Sequence, residues 1–427
     1  FEQEIDVNAQ EPFFEMSALS IASDLNEFEM VKMLMLHPRI DINIRNNLGL
    51  TPLHLAAMRG NFKIVRILLN HPLINVDAVC YKNCTPLWYA VSKGHYITVQ
   101  IIADQCDLDF NLCHSMSMNI LCLAFLNKFT RIVETLLQMN CKIDLNLEDE
   151  HKNSLLHFAV FGKSENEDYT EFVVNLGGKE DVNLERKIIY LLSLLFRTVK
   201  IDEKTLNRKN IHGETPLFLT AKNGYENVLK FLLKNFEPFI DLNITNIFNY
   251  SLLHIAVENN NFYCVKEILQ TKIDLERKNF QELSAFEMAL IEKRFKTIKI
   301  MIDSGKFNLK RFDNYGNSIL HQLFFESKRT VKMSRKEKQE IIMQIFDILL
   351  KNPQVDENIV NASNKYGKTI LHFAAMNNFD SVIKMLLENN YKKINPNLKD
   401  EEGNTPLHLA ISFNKIESAE ELLKSAK

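Results

Sequence analysis

The amino-acid sequence predicts an all-α fold, an α-α solenoid of stacked helical pairs joined by β-hairpin-like fingers. Three observations support this: a six-residue motif recurs along the chain, its first spacings are constant, and each copy pairs a helix-start signal with a later helix-ending residue. A fixed period of about 20–50 residues is typical of repeat architectures. The eleven copies begin at Ser17, Thr51, Thr85, Asn119, Ser154, Thr215, Ser251, Ser284, Ser318, Thr369 and Thr405.

The spacing of the copies predicts how the chain is divided into domains. The first four starts are 34 residues apart, which is enough for two short helices and their turns. Such a unit buries its apolar face only against its neighbours, so the copies must stack. We therefore expect residues 1–427 to form a single repeat array, although a chain of 427 residues would otherwise suggest two or three globular domains.

Each element of the unit has a local signal, which is clearest in the copy at Thr51. Gly49 indicates a tight turn, because glycine accepts positive φ. Thr51 followed by Pro52 indicates a helix start, with a capping hydroxyl and a proline where no donor is lost. Gly60 ends that helix. Apolar residues at helical spacing then predict a second helix, so the order is turn, helix, turn, helix.

Two positions of the motif carry residue types suited to close packing. A leucine stands two residues after ten of the eleven starts, with Phe286 the exception, and an alanine stands five residues after nine starts, with Thr220 and Leu323 departing. A large residue beside a small one lets stacked helices interdigitate. A charge at Leu253 or Ala256 is therefore expected to be strongly destabilising.

The Thr-Pro-Leu-His motifs at Thr51 and Thr405 resemble the ankyrin repeat, and the resemblance covers nearly the whole chain. It implies L-shaped units of paired antiparallel helices, with fingers that project sideways and line a concave face together with the first helices. It also implies that the chain's activity is to bind other proteins, and it brings no catalytic residues with it.

Two copies depart from the pattern. The copy at Asn119 lacks the turn glycine and has Cys122 where histidine usually stands, and the copy at Ser284 lacks both glycines. These copies are predicted to form the least stable joints of the array.

Two copies are too long. From Ser154 to the next start is 61 residues, and from Ser318 it is 51. In both copies the first helix has the usual motif, and an apolar second helix follows at residues 188–196 and 341–350. The insertions, about 163–187 and 327–340, are therefore predicted to lie in the turn between the two helices. The first carries Glu165, Glu167, Asp168, Glu171, Glu180, Asp181 and Glu185, and the second carries Lys328, Arg329, Lys332, Arg335, Lys336 and Lys338. The insertions have two interpretations: they are solvated surface loops, or they are recognition sites for charged partners.

Half of the twelve histidines share one motif position, three residues after a start: His54, His157, His254, His321, His372 and His408. Recurrence at a structural period predicts a structural role, with the imidazole bonded to backbone in the adjacent turn. No nucleophile, base and orienting group accompany these histidines, and no catalytic or dinucleotide-binding motif is present. The chain is predicted to be no enzyme and to need no cofactor.

Composition limits the partners and the compartment. A net charge of −3 gives no general attraction to nucleic acid or acidic membrane. The longest apolar run, residues 188–196, is too short to span a bilayer. The seven cysteines fit no zinc pattern and no disulfide framework, and no signal peptide precedes them. We expect reduced thiols, no metal and a cytoplasmic location, with the nucleus as the alternative.

Apolar side chains are frequent at positions expected to be exposed on the fingers and first helices. Aromatic anchors dominate interface energies, so a protein-binding groove is one interpretation, and packing between neighbouring fingers is the other. The predicted partner-binding residues are Phe248, Tyr250, Phe280, Phe312, Tyr315 and Tyr366. Leu48, Leu50, Met58, Tyr81, Met116, Met118, Phe325 and Met376 are also expected at the surface.

The predicted function is that of a non-enzymatic protein–protein interaction scaffold with a protein or peptide partner. The alternative is the ankyrin-repeat region of a larger effector, such as an enzyme, channel or toxin. Residues 5–8 resemble the close of a preceding repeat, and residues 419–423 lie in a last second helix without a polar capping unit, which suggests part of a longer array. Nucleic-acid binding through the basic insertion is a third, weaker hypothesis.

Overall fold

The fold is all-α, as predicted. A computed structural model describes residues 5–105, 108, 110–111, 118–139, 147–162, 182–198, 202–388 and 393–424. Within these ranges the chain forms helices and isolated β-bridges, and no β-strand. The described α-helices are α1 (Ala18–Asp24), α2 (Phe28–Leu34), α3 (Pro52–Arg59), α4 (Phe62–Leu69), α5 (Pro86–Ser92), α6 (Tyr96–Ala103), α7 (Ile120–Leu126), α8 (Thr130–Gln138), α9 (Leu155–Val160), α10 (Val182–Thr198), α11 (Glu203–Leu206), α12 (Pro216–Asn223), α13 (Glu226–Phe236), α14 (Leu252–Glu258), α15 (Phe262–Ile268), α16 (Ala285–Ile291), α17 (Phe295–Asp303), α18 (Ile319–Gln322), α19 (Arg335–Lys351), α20 (Glu357–Val360), α21 (Ile370–Met376), α22 (Asp380–Glu388), α23 (Pro406–Ser412) and α24 (Ile416–Lys424).

The helices are grouped in two compact units. The first comprises Phe1–Thr220 and Lys230–Ile240, and the second comprises Ala221–Leu229 and Asp241–Lys427. In the first unit the first helices α1, α3, α5, α7 and α9 pack in succession, and so do the second helices α2, α4, α6, α8 and α10. In the second unit α14, α16, α18, α21 and α23 form one layer, and α15, α17, α19, α22 and α24 form the other.

The helix start predicted at Thr51 is confirmed. The Thr51 hydroxyl accepts a hydrogen bond from the His54 backbone N–H at 3.4 Å, and Pro52 occupies the first helical position. Gly60 ends the helix with φ 75°, a backbone conformation that residues with a Cβ atom rarely adopt. Four copies without this glycine use asparagine, with φ between 53° and 63°, at Asn26, Asn260, Asn378 and Asn414.

The leucine and alanine positions of the motif are buried, which is why the helices approach closely. All nine motif alanines are buried, and so are nine of the ten leucines, with Leu407 of the last copy half-buried. Leu253 is 1% exposed and Ala256 is fully buried. The two exceptions to the alanine rule, Thr220 and Leu323, are also buried.

The second insertion is not wholly a turn, contrary to the sequence-based expectation. A short 3-10 helix spans Thr330–Lys332, and α19 then begins at Arg335, inside the predicted interval. The Ser334 hydroxyl accepts from the Glu337 backbone N–H, and the Glu337 carboxylate accepts from the Ser334 N–H. This capping box starts the helix before the apolar pattern begins, so half of the basic residues lie on α19.

The first insertion shows the same early start. The second helix α10 begins at Val182, and Glu185 lies on it. The remaining acidic residues named above lie at 165–181, outside the described residues. The apolar run 188–196 lies within α10, with Ile188, Leu191 and Leu195 buried. None of the described helices combines the length and the apolarity that crossing a bilayer requires.

Candidate partner-binding surface

The surface is built on the fingers, the segments that link each second helix to the next first helix. In eight fingers an asparagine or aspartate stands five residues before the start, and its side chain shapes the turn. In the finger of the seventh copy, Asn246 Oδ1 accepts hydrogen bonds from the N–H groups of Phe248 at 3.0 Å and Tyr250 at 2.9 Å. Asn249 completes the turn with φ 58°. This closed turn leaves Phe248 at its outer end, where it is exposed.

Backbone hydrogen bonds join neighbouring finger tips, which we define as the residues three and four before a start. The N–H of Phe280 donates to the carbonyl oxygen of Phe248 at 3.2 Å, and the N–H of Lys365 donates to Tyr315 O at 2.8 Å. Further bonds of this kind run from Asn47 to Phe14, Tyr81 to Leu48, Ile211 to His151 and Glu401 to Tyr366. The bonds set the tips of successive copies in register.

Three of the six predicted residues form an aromatic cluster on adjacent fingers. The Phe248 and Phe280 ring centroids are 6.1 Å apart, and Tyr250 stacks on Phe280 at 6.2 Å with 18° between the planes. Tyr250 also stacks on His254 at 5.6 Å. Phe248 and Phe280 are both more than half exposed, whereas Tyr250 is half-buried beneath them. The rings of Phe248 and Phe280 are therefore accessible to a partner, and the ring of Tyr250 packs against Phe280 and supports it.

The other three predicted residues are exposed but separate. Phe312, Tyr315 and Tyr366 are 50–60% exposed, and none of them makes a ring contact within the described part of the chain. Tyr315 and Tyr366 occupy the same finger-tip position as Phe248. Phe312 lies nearer the base of its finger, where it forms an isolated β-bridge with Ser318.

Some of the residues that were expected at the surface are buried or half-buried. Leu50 and Met118 are buried, so that expectation was wrong for both. Both stand directly before a helix N-cap, where the finger turns into the first helix. Met58, Phe325 and Met376 are half-buried, and Met116 lies outside the described residues.

Sequence reasoning missed several exposed apolar residues at finger tips. Phe13, Phe14 and Ile247 are each at least 60% exposed, and each stands three or four residues before a start. The sequence could have identified them, because every finger-tip residue stands three or four residues before a start.

The structural role predicted for the motif histidines is confirmed. The Ser251 N–H donates to His254 Nδ1 at 3.3 Å, so Nε2 carries the proton and donates to the carbonyl oxygen of Leu283 at 2.9 Å. The same bond to the next copy is made by His54 to Cys84, His157 to Glu214, His321 to Lys368 and His372 to Asn404. Burial lowers the pKa of His54, His157 and His321 to about 4, which keeps them neutral near pH 7. Each of these side chains joins two copies.

The surface carries no arrangement for metal chemistry in the ranges that the structure describes. No three His, Cys, Asp or Glu side chains there lie together as a metal ion would require. Among the described residues, Cys80, Cys84, Cys122 and Cys264 take part in no disulfide, while Cys106, Cys113 and Cys141 lie outside the described residues.

The chain has paired helices, histidines that link five copies to the next copy, and hydrogen-bonded fingers. These features define a repeat protein with the architecture of a protein-binding module. The chain belongs to the ankyrin repeat family. The family model for ankyrin repeats matches three times, at residues 19–112, 189–279 and 338–427, which together make up more than half of the chain.

Several curated proteins are similar to this chain. Ankyrin repeat protein L371 of Acanthamoeba polyphaga mimivirus is 22% identical over 65% of this chain and 30% of its own length. The NAD-dependent deacetylase sir2B of Dictyostelium discoideum is 25% identical over 58% of this chain and 32% of its own. Human NF-kappa-B inhibitor zeta is 26% identical over 48% of this chain and 26% of its own. The chain thus spans less than one third of the length of each of these relatives.

Proposed function

We propose that this chain is a scaffold that binds a partner protein or peptide on its fingers, on the face that is concave in ankyrin repeats. The observation that carries the proposal is the cluster of Phe248 and Phe280, two exposed rings 6.1 Å apart on adjacent, hydrogen-bonded finger tips. Exposed aromatic residues on a rigid support lose little conformational entropy on binding, so they serve as interface anchors.

The partner expected for this surface presents apolar side chains at regular spacing. An extended segment or an amphipathic helix would place one apolar anchor across the exposed surfaces of Phe248 and Phe280, with Tyr250 packed beneath the rings. Tyr315 and Tyr366 occupy equivalent tips further along the second unit, so they would bind later anchors of the same segment. Phe312 would contact the segment nearer the base of its finger.

The test is a double substitution, Phe248→Ser with Phe280→Ser, in the full chain. The rings are on finger tips outside the buried core, so thermal unfolding followed by circular dichroism should be nearly unchanged. After a partner has been captured and identified, calorimetry should show affinity weakened by at least about 2 kcal/mol if both rings are hot spots.

The matched control is Tyr263→Ser, which removes an equally exposed ring from α15, the second helix of the same copy. The control should bind with the affinity of the parent. Equal affinity of the parent and the double variant, with unchanged melting, would refute the site.

We also propose that the chain has no enzymatic activity of its own. The absence of catalytic motifs in the sequence supports this, although one relative is named a deacetylase. The full chain should release no nicotinamide from NAD in the presence of an acetyl-lysine peptide. Turnover in this assay would make the chain an enzyme.

A second candidate function is that of the repeat region of a larger effector. It is supported by three of the relatives, which are each at least three times as long as the part that this chain spans. An antibody raised against the chain should then detect a natural protein considerably larger than 427 residues. A band at the size of the chain itself would contradict this candidate.

We infer that nucleic acid is not the partner, even at the basic second insertion. Arg335 Nη2 lies 3.8 Å from Asp380 Oδ1 and 3.6 Å from Glu417 Oε1, and Lys338 pairs with Glu326. These carboxylates offset the positive charge that phosphates would require. Gel-shift assays at low salt should detect no complex with duplex DNA or single-stranded RNA, and a salt-sensitive complex would refute the inference.

We propose a cytoplasmic location, with the nucleus as the alternative, on the basis of the free thiols and the ankyrin family. Fluorescence microscopy of a tagged chain in its own cell type would distinguish the two compartments, and a secreted or organellar signal would contradict both.

A further inference from the structure

The second helix of the ninth copy, α19, is longer than its neighbours in the same layer. It has 17 residues, whereas α15, α17, α22 and α24 have seven to nine. The extra length comes from the second insertion, because α19 begins at Arg335 and the apolar pattern starts only near residue 341. The first turns of α19 therefore consist of residues of the insertion.

The side chain of Arg335 contacts two copies beyond its own. A solenoid copy normally contacts only the copies directly before and after it, and α19 itself packs mainly against α17 and α22. Arg335 Nη2, however, lies 3.8 Å from Asp380 Oδ1 in the tenth copy and 3.6 Å from Glu417 Oε1 in the eleventh copy. The guanidinium group thus reaches past the neighbouring copy to the one after it.

Hydrogen bonds position both of these carboxylates. Asp380 Oδ1 also accepts from Gln339 Nε2 at 3.2 Å, and the buried Gln339 accepts from the Ser381 N–H at 3.0 Å. Glu417 Oε2 accepts from Asn378 Nδ2 at 2.6 Å. Side chains of the ninth and tenth copies therefore hold both carboxylates within reach of the guanidinium group.

The arrangement sets one positive charge against two negative charges that belong to different copies. Asp380 is the first residue of α22 and Glu417 is the second residue of α24, so the two helix starts share Arg335 as a counter-ion. The three side chains are 33–52% exposed, and solvent therefore screens each ion pair. The expected coupling is small for each pair, but it acts between copies that the stacking of helices leaves apart.

We propose that the second insertion is an electrostatic brace in which Arg335 couples the ninth copy directly to the eleventh. The brace makes local opening of the eleventh copy less frequent, because opening separates Glu417 from its counter-ion. The positive charge of Arg335 is then used within the array and does not serve the recognition of a charged partner.

The experiment is hydrogen–deuterium exchange of the full chain, followed peptide by peptide, in the parent and in Arg335→Gln. Exchange in α24 should be about two- to fivefold faster in the variant, which is the range expected for exposed ion pairs. Exchange in α14, two copies before the insertion, should be unchanged. Equal exchange of α24 in the parent and in Arg335→Gln would overturn the proposal.

The matched control is Lys336→Gln, which removes the same charge from the adjacent exposed residue. Lys336 forms no ion pair within the part of the chain that the structure describes. Exchange of α24 in this variant should match the parent. An equal acceleration in Lys336→Gln and Arg335→Gln would show that net charge, and not the brace, controls the eleventh copy.

A double-mutant cycle tests whether the coupling is direct. Exchange in α24 is compared among Arg335→Gln, Glu417→Gln and the double variant. With a direct contact, the double variant should accelerate exchange by less than the product of the two single effects. A full product would overturn the proposal.

Salt tests the electrostatic origin of the coupling. The difference between the parent and Arg335→Gln should disappear at about 1 M NaCl, where the Debye length is about 3 Å. A difference that persists undiminished at this salt concentration would contradict a brace built on charge.

Discussion

At the scale of single residues, the motif histidine joins one copy to the next. Its Nδ1 accepts from the helix N-cap of its own copy, and its Nε2–H donates to a carbonyl of the following copy, as His157 does to Glu214 O at 3.0 Å. This arrangement requires a neutral ring. A proton added at Nδ1 would face the Ser154 N–H, so protonation must disrupt the link.

We therefore expect the free energy of unfolding to fall as the pH is lowered from about 6.5 to about 4. In this window the unfolded chain binds protons that the buried histidines do not, so stability rises with pH by up to about 1.4 kcal/mol per pH unit for each such histidine. The measurement is urea unfolding of the parent and of His157→Gln at several pH values. The difference between their free energies should depend on pH in this window.

The control for this prediction is His37→Gln, which changes an exposed histidine outside the motif position. It should leave the pH dependence of the parent intact. A His157→Gln variant with the full slope of the parent would show that His157 does not contribute to acid sensitivity.

At the scale of elements, the packed seam between helices depends on the leucine and alanine of the motif. Leu253 and Ala256 lie on α14, which packs against α15 and α16. Because both are buried, Ala256→Asp or Leu253→Asp would place an unpaired charge in this seam.

We expect either aspartate to destabilise the fold by several kcal/mol, on the order of the cost of an uncompensated buried charge. Circular-dichroism melts should show a clear drop in the midpoint. Tyr263→Asp, at an exposed position on α15, is the matched control and should melt near the parent. Parent-like melting of Ala256→Asp would mean that the helix register is wrong.

A second feature at the element scale is a pair of buried lysines beside the two insertions. Lys128 and Lys293 stand at the helix-ending position of the fourth and eighth copies, with φ 57° and 55°. Lys128 Nζ donates to Phe158 O at 2.9 Å, and Lys293 Nζ donates to Phe325 O at 2.8 Å. These carbonyls belong to copies with short first helices, α9 and α18, so each lysine satisfies a backbone group of an interrupted helix.

Burial lowers the pKa of Lys128 to about 7 and that of Lys293 to about 8. Between these values and the ordinary lysine pKa of about 10.4, the unfolded chain binds more protons than the folded chain. Stability should therefore rise with pH over this range. In Lys128→Met the slope of unfolding free energy against pH should decrease relative to the parent.

The slope is informative even though methionine at positive φ adds strain, because that strain does not depend on pH. Lys93→Met, at an exposed position in the third copy, should keep the parental slope. An unchanged slope in Lys128→Met would contradict the prediction that the buried ammonium group of Lys128 makes stability depend on pH.

The expectation that the fourth and eighth copies are the least stable joints of the array stays a prediction. Hydrogen exchange measured separately for each copy would test it.

At the scale of the whole molecule, the recurrence of the motif from Ser17 to Thr405 predicts one continuous array without a central globular domain. We expect small-angle X-ray scattering of the 427-residue chain to give a maximum dimension well above that of a sphere of equal mass. A pair-distance distribution like that of a compact sphere would contradict this prediction.

The sequence by itself determined the helical pairs, their starts and the buried face of each first helix. These features are local and periodic: Thr51 and Pro52 set a cap, Gly60 ends a helix, and the leucine and alanine positions of Leu253 and Ala256 recur in most copies. Their physical causes act within a few residues, so the pattern alone was enough to predict them. The exposed position of Phe248 and Phe280 was also predictable, because finger residues hold fixed places relative to each start.

Only the tertiary structure decided which side chains of different copies meet. The stacking of Tyr250 on Phe280 and the bond from Lys128 to the Phe158 carbonyl depend on rotamers and on the register of neighbouring turns. The early start of α19 was also missed, because a capping box outside the apolar pattern determines it. Contacts between copies are set by packing across 30 or more residues of chain, as in the bond from Lys128 to Phe158, and no local pattern specifies them.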